Sequence, residues 1–143
     1  MHTETIHALR LGRYGSLIVK DGAEIEVDTR AEETDNAFGP VALQLAAVAA
    51  CMMRTIEDVA PSHGVRLDGL DIALGGDWQE APPGLVRIGY VITVHTDADA
   101  ERLEDLHAAV RSAGAVCCTL RRAVSLEGIL RRADPADVAA DEA

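Results

Sequence analysis

Aromatic residues make up only 3% of this 143-residue chain: one Trp, two Tyr and one Phe. Any core must therefore be built from Leu, Val, Ile and Ala. Cysteine is also scarce. The three present are Cys51, Cys117 and Cys118, too few and too unevenly placed for a disulfide framework of the kind that staples small secreted domains. Neither C-x-x-C nor H-x-x-x-H occurs, and the five histidines (His2, His7, His63, His95, His107) are scattered. That spacing argues against a zinc site. Basic residues are the third shortage. Thirteen Lys and Arg stand against 24 Asp and Glu, a formal net charge of −11. Such a chain repels nucleic acid phosphates and anionic membranes, so neither is an expected partner. The longest apolar run, residues 41–53, is too short to span a bilayer. The opening "MHTETIHALRLGR" is polar and mixed in charge, unlike a secretory leader. A cytoplasmic protein is the expectation.

What is present is ordinary for a globular protein: 48% apolar and 26% charged residues. The length predicts a single domain over residues 1–132, followed by a flexible acidic tail over 133–143. Residues 4–28 alternate in short apolar bursts that end at turn signals. One is Gly12 to Gly15 and the other is "KDG" at 20–22, where Asp-Gly is a strong hairpin dipeptide. Strands are expected near 4–11, 15–20 and 23–28. Residues 29–38 are a polar connection. Pro40 suits the first turn of a helix expected over 40–59. That helix is apolar on nearly every side from Leu43 to Met53 and should be buried on most of them.

Two strands are expected at 65–78 and 85–96, joined by the turn cluster "QEAPPG". Asp97 or Asp99 caps a second helix running to about Ala113, with Leu103, Leu106 and Val110 on its apolar face. A short helical piece at 117–123 and a last strand at 124–130 complete the order. Strands arranged in hairpins rather than alternating with helices predict an α+β fold with antiparallel sheets.

Cys51 lies in "LQLAAVAACMMRT", residues 43–55. Free cysteine commonly behaves as a small buried hydrophobe, so a core role and a reactive role are both open on the residues alone.

Three segments together resemble the OsmC/Ohr family of osmotically inducible and organic hydroperoxide resistance proteins. "GRYGSLIVKDGAEIEVDT" (12–29) resembles the family's Gly-Arg-x-Gly hairpin and Asp-Gly turn. "GPVALQLAAVAAC" (39–51) is similar to its Asn-Pro-Glu-x-Leu…Ala-Ala-Cys helix. "CTLRRAV" (118–124) is similar to its Cys-Pro-x-Ser-x-Ala-Leu motif. The resemblance implies an intertwined homodimer in which bent antiparallel sheets wrap two long central helices. It also implies a thiol-dependent peroxidase acting on organic (alkyl or lipid) hydroperoxides, re-reduced by a dithiol such as a lipoylated protein, with no metal or organic cofactor.

By the same resemblance Cys51 is the peroxidatic cysteine, Arg13 the activating cation and Cys118 the resolving cysteine. Peroxide reduction needs a thiolate, a cation or donors beside it, and a second sulfur to collapse the sulfenic acid. Cys51 sits mid-helix, away from the N-terminus where a macrodipole would favour a thiolate, so an imported guanidinium is the help it requires. Cys118 places Arg122, Ala123 and Val124 on the family's Arg-Ala-Leu positions. Cys117 takes the resolving role if the register slips by one.

The chain departs from the family at the helix start. The hydroperoxide reductase branch carries a glutamate directly after the helix proline, paired with the arginine. Here that position is Val41, followed by Ala42, and the preceding Asn is Gly39. Glu32, Glu33 and Asp35 are the substitute carboxylates nearest in sequence. The alternative is an OsmC-like protein with little peroxidase activity that binds a hydrophobic small molecule or uses its thiol as a redox sensor.

Overall fold

A computed structural model describes residues 1–30 and 37–136. Glu32, Glu33 and Asp35, and the acidic tail beyond residue 136, lie outside the described residues. The chain divides into two compact units, residues 1–46 and 47–143.

The first unit holds a three-stranded antiparallel sheet of β1 (His7–Arg10), β2 (Gly15–Lys20) and β3 (Ala23–Asp28), in that order. The β2–β3 turn is Asp21-Gly22, with φ of 49° and 88°. Two successive positive φ values match the right-handed twist of a hairpin, and Asp-Gly accepts them at least cost. Pairing of Ile18 with Ile25 follows from that turn, and Leu9 pairs with Leu17 across the β1–β2 turn at residues 11–14. Ile6, Leu9, Leu11, Tyr14, Ile25 and Phe38 are nevertheless 45–60% exposed. This small sheet leaves much of its apolar surface uncovered.

Helix α1 (Pro40–Val59) begins at the expected proline and crosses from the first unit into the second. It is 20 residues long, well beyond the apolar run 41–53. By length and composition it is the one helix among the described residues that could cross a membrane. Its last turns carry Arg54, Glu57 and Asp58, and Val48, Met52 and Ile56 are at most 3% exposed, as in the core helix of a folded unit. Burial on every side is not found. Ala47, Ala50 and Met53 stand exposed.

In the second unit α1 is followed by a single 3-10 turn at Pro61–His63, closed by Gly64 at φ 66°. Strands β4 (Gly69–Glu80) and β5 (Pro83–His95) then form a long antiparallel hairpin. They run into the segment expected as a loop, and only residues 81 and 82 turn. The long ladder, shifted once between Asp77 and Trp78, satisfies backbone groups that a six-residue loop would leave to water. Along β5, Ile88, Tyr90, Ile92 and Val94 are all at most 4% exposed, the period-2 signature of one face turned inward.

Asp99 caps helix α2 (Ala100–Ser112), its carboxylate accepting from the Arg102 N–H at 3.0 Å. Leu103, Leu106 and Val110 are buried as expected, and α2 packs along β6. Helix α3 is Ala115–Leu120, starting and ending earlier than expected. Strand β6 (Ser125–Arg132) pairs parallel to β5, from Arg87 with Ser125 to Val94 with Arg132. The expectation of purely antiparallel sheets is corrected here. α2 and α3 together form a crossover long enough to return the chain beside β5 in the same direction. The order is β1-β2-β3 in one sheet and β4-β5-β6 in the other, an α+β fold.

Candidate redox site

Cys51 is half-buried near the middle of α1. Its carbonyl accepts a hydrogen bond from Thr55 Oγ1 at 2.9 Å, and Thr55 is 8% exposed. The corner between α2 and α3 lies against this turn of helix. Its residue is Gly114, at φ 88°. A Cβ at this position would meet Cys51 Sγ at 2.7 Å and Thr55 Oγ1 at 3.0 Å. Glycine is therefore required twice, for the left-handed backbone and for room beside the sulfur. The sequence reading passed Gly114 over, since a glycine at a helix junction gives no sign of what it faces.

Gly114 opens α3, which carries the vicinal cysteines. Successive helical residues point about 100° apart, so only one of the two can face α1. It is Cys117. This residue is 1% exposed, and its thiol interacts electrostatically with that of Cys51. Cys118 is exposed, its Sγ 3.7 Å from the Ser112 carbonyl, a weak S–H donor contact. The thiol brought to Cys51 is thus the one the motif register ranked second.

Burial pushes the Cys117 thiol up to about 12, reinforced by its neighbour Cys51. Arg121 opposes this to a smaller extent. Cys117 is accordingly a proton-bearing thiol beside Cys51.

Behind Cys117 lies a pair the sequence reading did not single out. The Tyr90 hydroxyl and His107 Nε2 are 2.9 Å apart, with the two rings edge-to-face at 5.8 Å between centroids. Burial lowers His107, helped by the positive charge of Arg111, and burial raises Tyr90. The imidazole is therefore neutral at neutral pH and the phenol protonated. The phenol and Nε2 share one hydrogen bond whose direction is set by the imidazole tautomer. In the sequence Tyr90 reads only as one more inward residue of an alternating strand.

Arg13 belongs to the first unit, in the turn between β1 and β2. Its guanidinium sits over the Tyr14 ring, 5.0 Å from the centroid, and forms no ion pair among the described residues. It lines a cleft of about 430 Å³ with Leu11, Glu26, Asp28 and Arg30. Asp28 is 4% exposed and is engaged by Arg30, whose Nε donates at 3.1 and 3.2 Å and whose backbone N–H donates at 2.9 Å. Val41 is half-buried in the first turn of α1, and that turn holds no acidic residue. Among the described residues there is no group of three His, Cys, Asp or Glu able to hold a metal ion.

No curated protein matches the sequence of this chain. Its structure is similar to a crystal structure of an OsmC-like protein from Mycoplasma pneumoniae, with a TM-score of 0.85 at 19% identity, over 93% of this chain and 99% of that one. It is also similar to the organic hydroperoxide resistance protein OhrB of Bacillus subtilis. That likeness has a TM-score of 0.61 at 22% identity, covering 90% of this chain and 98% of that one. A Legionella pneumophila protein described as an organic hydroperoxide resistance protein OsmC aligns with a TM-score of 0.68 at 18% identity, over 91% and 98% of the two chains. At these identities the likeness establishes the fold. The family model for OsmC-like protein matches residues 31–127, and the chain belongs to that family.

Proposed function

We propose that this protein is a thiol-dependent peroxidase for organic hydroperoxides, with Cys51 as the peroxidatic cysteine and Cys117 as the resolving one. The observation that carries the reading is the approach of α3 to Cys51: Gly114, which opens that helix, lies against the Cys51 sulfur, and the buried Cys117 follows three residues later and interacts with it. The hydroperoxide resistance proteins among its structural relatives support the same chemistry.

The Cys51 thiolate attacks the distal peroxide oxygen, the O–O bond breaks, and the alkoxide takes a proton to leave as an alcohol. Cys51 is then a sulfenic acid. The Cys117 sulfur attacks it, expelling the hydroxyl, which leaves as water with the Cys117 proton, and a Cys51–Cys117 disulfide forms. An external dithiol supplies the two electrons and two protons that restore both thiols. Leu45 is half-buried on α1, and an aliphatic side chain there suits an alkyl or lipid peroxide better than hydrogen peroxide. Arg13 is the cation assigned to the peroxide and thiolate. The apolar surface left open on the first sheet and on α1 at Ala47, Ala50 and Met53 supports a homodimer, in which a second copy covers it. A cytoplasmic location belongs to the same reading.

Turnover of cumene hydroperoxide with a dithiol such as dihydrolipoamide tests the reading. Activity is expected in the wild type and none in Cys51→Ser. Absence of turnover in the wild type overturns it.

One observation favours a second reading. Val41 stands where the reductase branch carries its glutamate, and the Arg13 guanidinium rests on Tyr14 with no ion pair among the described residues. An OsmC-like protein that binds a hydrophobic small molecule, or senses oxidants with its thiol, requires no held arginine. It is distinguished by a thiol that oxidises once and does not turn over.

A further inference from the structure

We infer that the cleft formed by Arg111, Arg121 and Arg122 is a binding site for a phosphomonoester of a small organic molecule. Arg111 lies in the last turn of α2, and Arg121 and Arg122 follow α3 directly. All three line one cleft of about 470 Å³, with Val124, Leu126 and Ser125 from the start of β6. This is a local reversal of charge in a chain of net charge −11. None of the three arginines forms an ion pair among the described residues. The one carboxylate in the lining, Glu127, already accepts from the Ser125 hydroxyl at 2.6 Å and lies 3.9 Å from Arg87.

Three guanidiniums gathered beside a single carboxylate, none of them ion-paired among the described residues, call for an anion, and their number selects among anions. Each presents a planar fork of N–H donors. A carboxylate offers two oxygens and one charge, which one fork satisfies. A phosphomonoester offers three terminal oxygens and close to two charges at neutral pH. The cleft is much larger than a bare phosphate, which leaves room for an organic part beside the exposed Ala123. The acidity of the chain as a whole disfavours a polyanion such as nucleic acid, which would meet repulsion beyond the cleft. The site adjoins α3, and the Arg121 charge reaches the Cys117 sulfur.

Isothermal titration of the full chain with phenyl phosphate, in low-salt buffer free of phosphate, tests the assignment. Benzoate is the carboxylate comparison. Expected is saturable one-to-one binding of phenyl phosphate that weakens as salt is added. Arg121→Ala with Arg122→Ala should weaken it at least about tenfold, since each lost charge-assisted contact is worth about tenfold or more. Arg122→Lys should weaken it less. Arg66→Ala, at an exposed arginine paired with Asp68, should leave it unchanged. No saturable binding, binding indifferent to the arginine pair, or benzoate bound as tightly as phenyl phosphate each overturns the assignment.

Discussion

Cys117 directs its thiol at Cys51, while its neighbour Cys118 points away to the surface. This difference between adjacent residues follows from the helical turn of α3 and decides which sulfurs can react together. It also orders their reactivity toward an outside reagent.

In the reduced protein Cys118 should be alkylated first by iodoacetamide and Cys117 last. Burial and the proton that Cys117 keeps up to about 12 both withhold its thiolate. The sign is fixed by the raised value. The native state holds a proton that the unfolded state gives up above its ordinary thiol range. The stabilisation is complete below that range and is lost as pH rises from it toward about 12. Peptide mapping after timed labelling at pH 7.5 reads the order. Cys117 labelling ahead of Cys118 contradicts it.

Gly114→Ala should destabilise the protein by about 1–3 kcal/mol, from the left-handed backbone alone. It should also displace the α2–α3 corner, because the new Cβ lands on Cys51 Sγ at 2.7 Å. Urea unfolding measures the first effect. The rate of Cys51–Cys117 disulfide formation measures the second, and it should fall.

Val41→Glu places a carboxylate in the first turn of α1, where none now stands. The helix dipole favours it by about 0.3–1 kcal/mol. If Arg13 serves the peroxide chemistry, the new carboxylate should hold it and speed thiol oxidation by cumene hydroperoxide about tenfold, equivalent to ~1.4 kcal/mol. Arg13→Ala should abolish the gain. A folded Val41→Glu that reacts no faster turns the account toward the binding reading.

The exposed apolar residues of the first sheet and the open side of α1 predict that the folded protein is an obligate homodimer. Unfolding should then depend on protein concentration. Sedimentation at micromolar concentration checks this, and a stable folded monomer contradicts it.

Much of the fold was legible in local signals. Asp21-Gly22 announced its hairpin, Pro40 its helix start and Asp99 its cap, because each acts through its own backbone. The β4–β5 loop was misjudged. Proline and glycine at 82–84 mark a turn somewhere, but the pairing of long strands set how few residues it received. The parallel pairing of β6 with β5 was invisible for a similar reason, since direction is set by the crossover and not by the strand's own residues. In the site, a family motif located Cys51. Choosing between Cys117 and Cys118 needed the phase of a six-residue helix, which periodicity over so short a span does not define. Tyr90 and Gly114 carry no motif, and only packing brings them to the sulfurs.

The most direct measurement is the disulfide itself. The protein is oxidised with one equivalent of cumene hydroperoxide, digested without reduction, and mapped by mass spectrometry. The account predicts a Cys51–Cys117 link within one chain. It predicts the same link in Cys118→Ser, and progression of Cys51 to the sulfinic acid in Cys117→Ser under excess peroxide. A link from Cys51 to Cys118, or thiols that stay free, would contradict it.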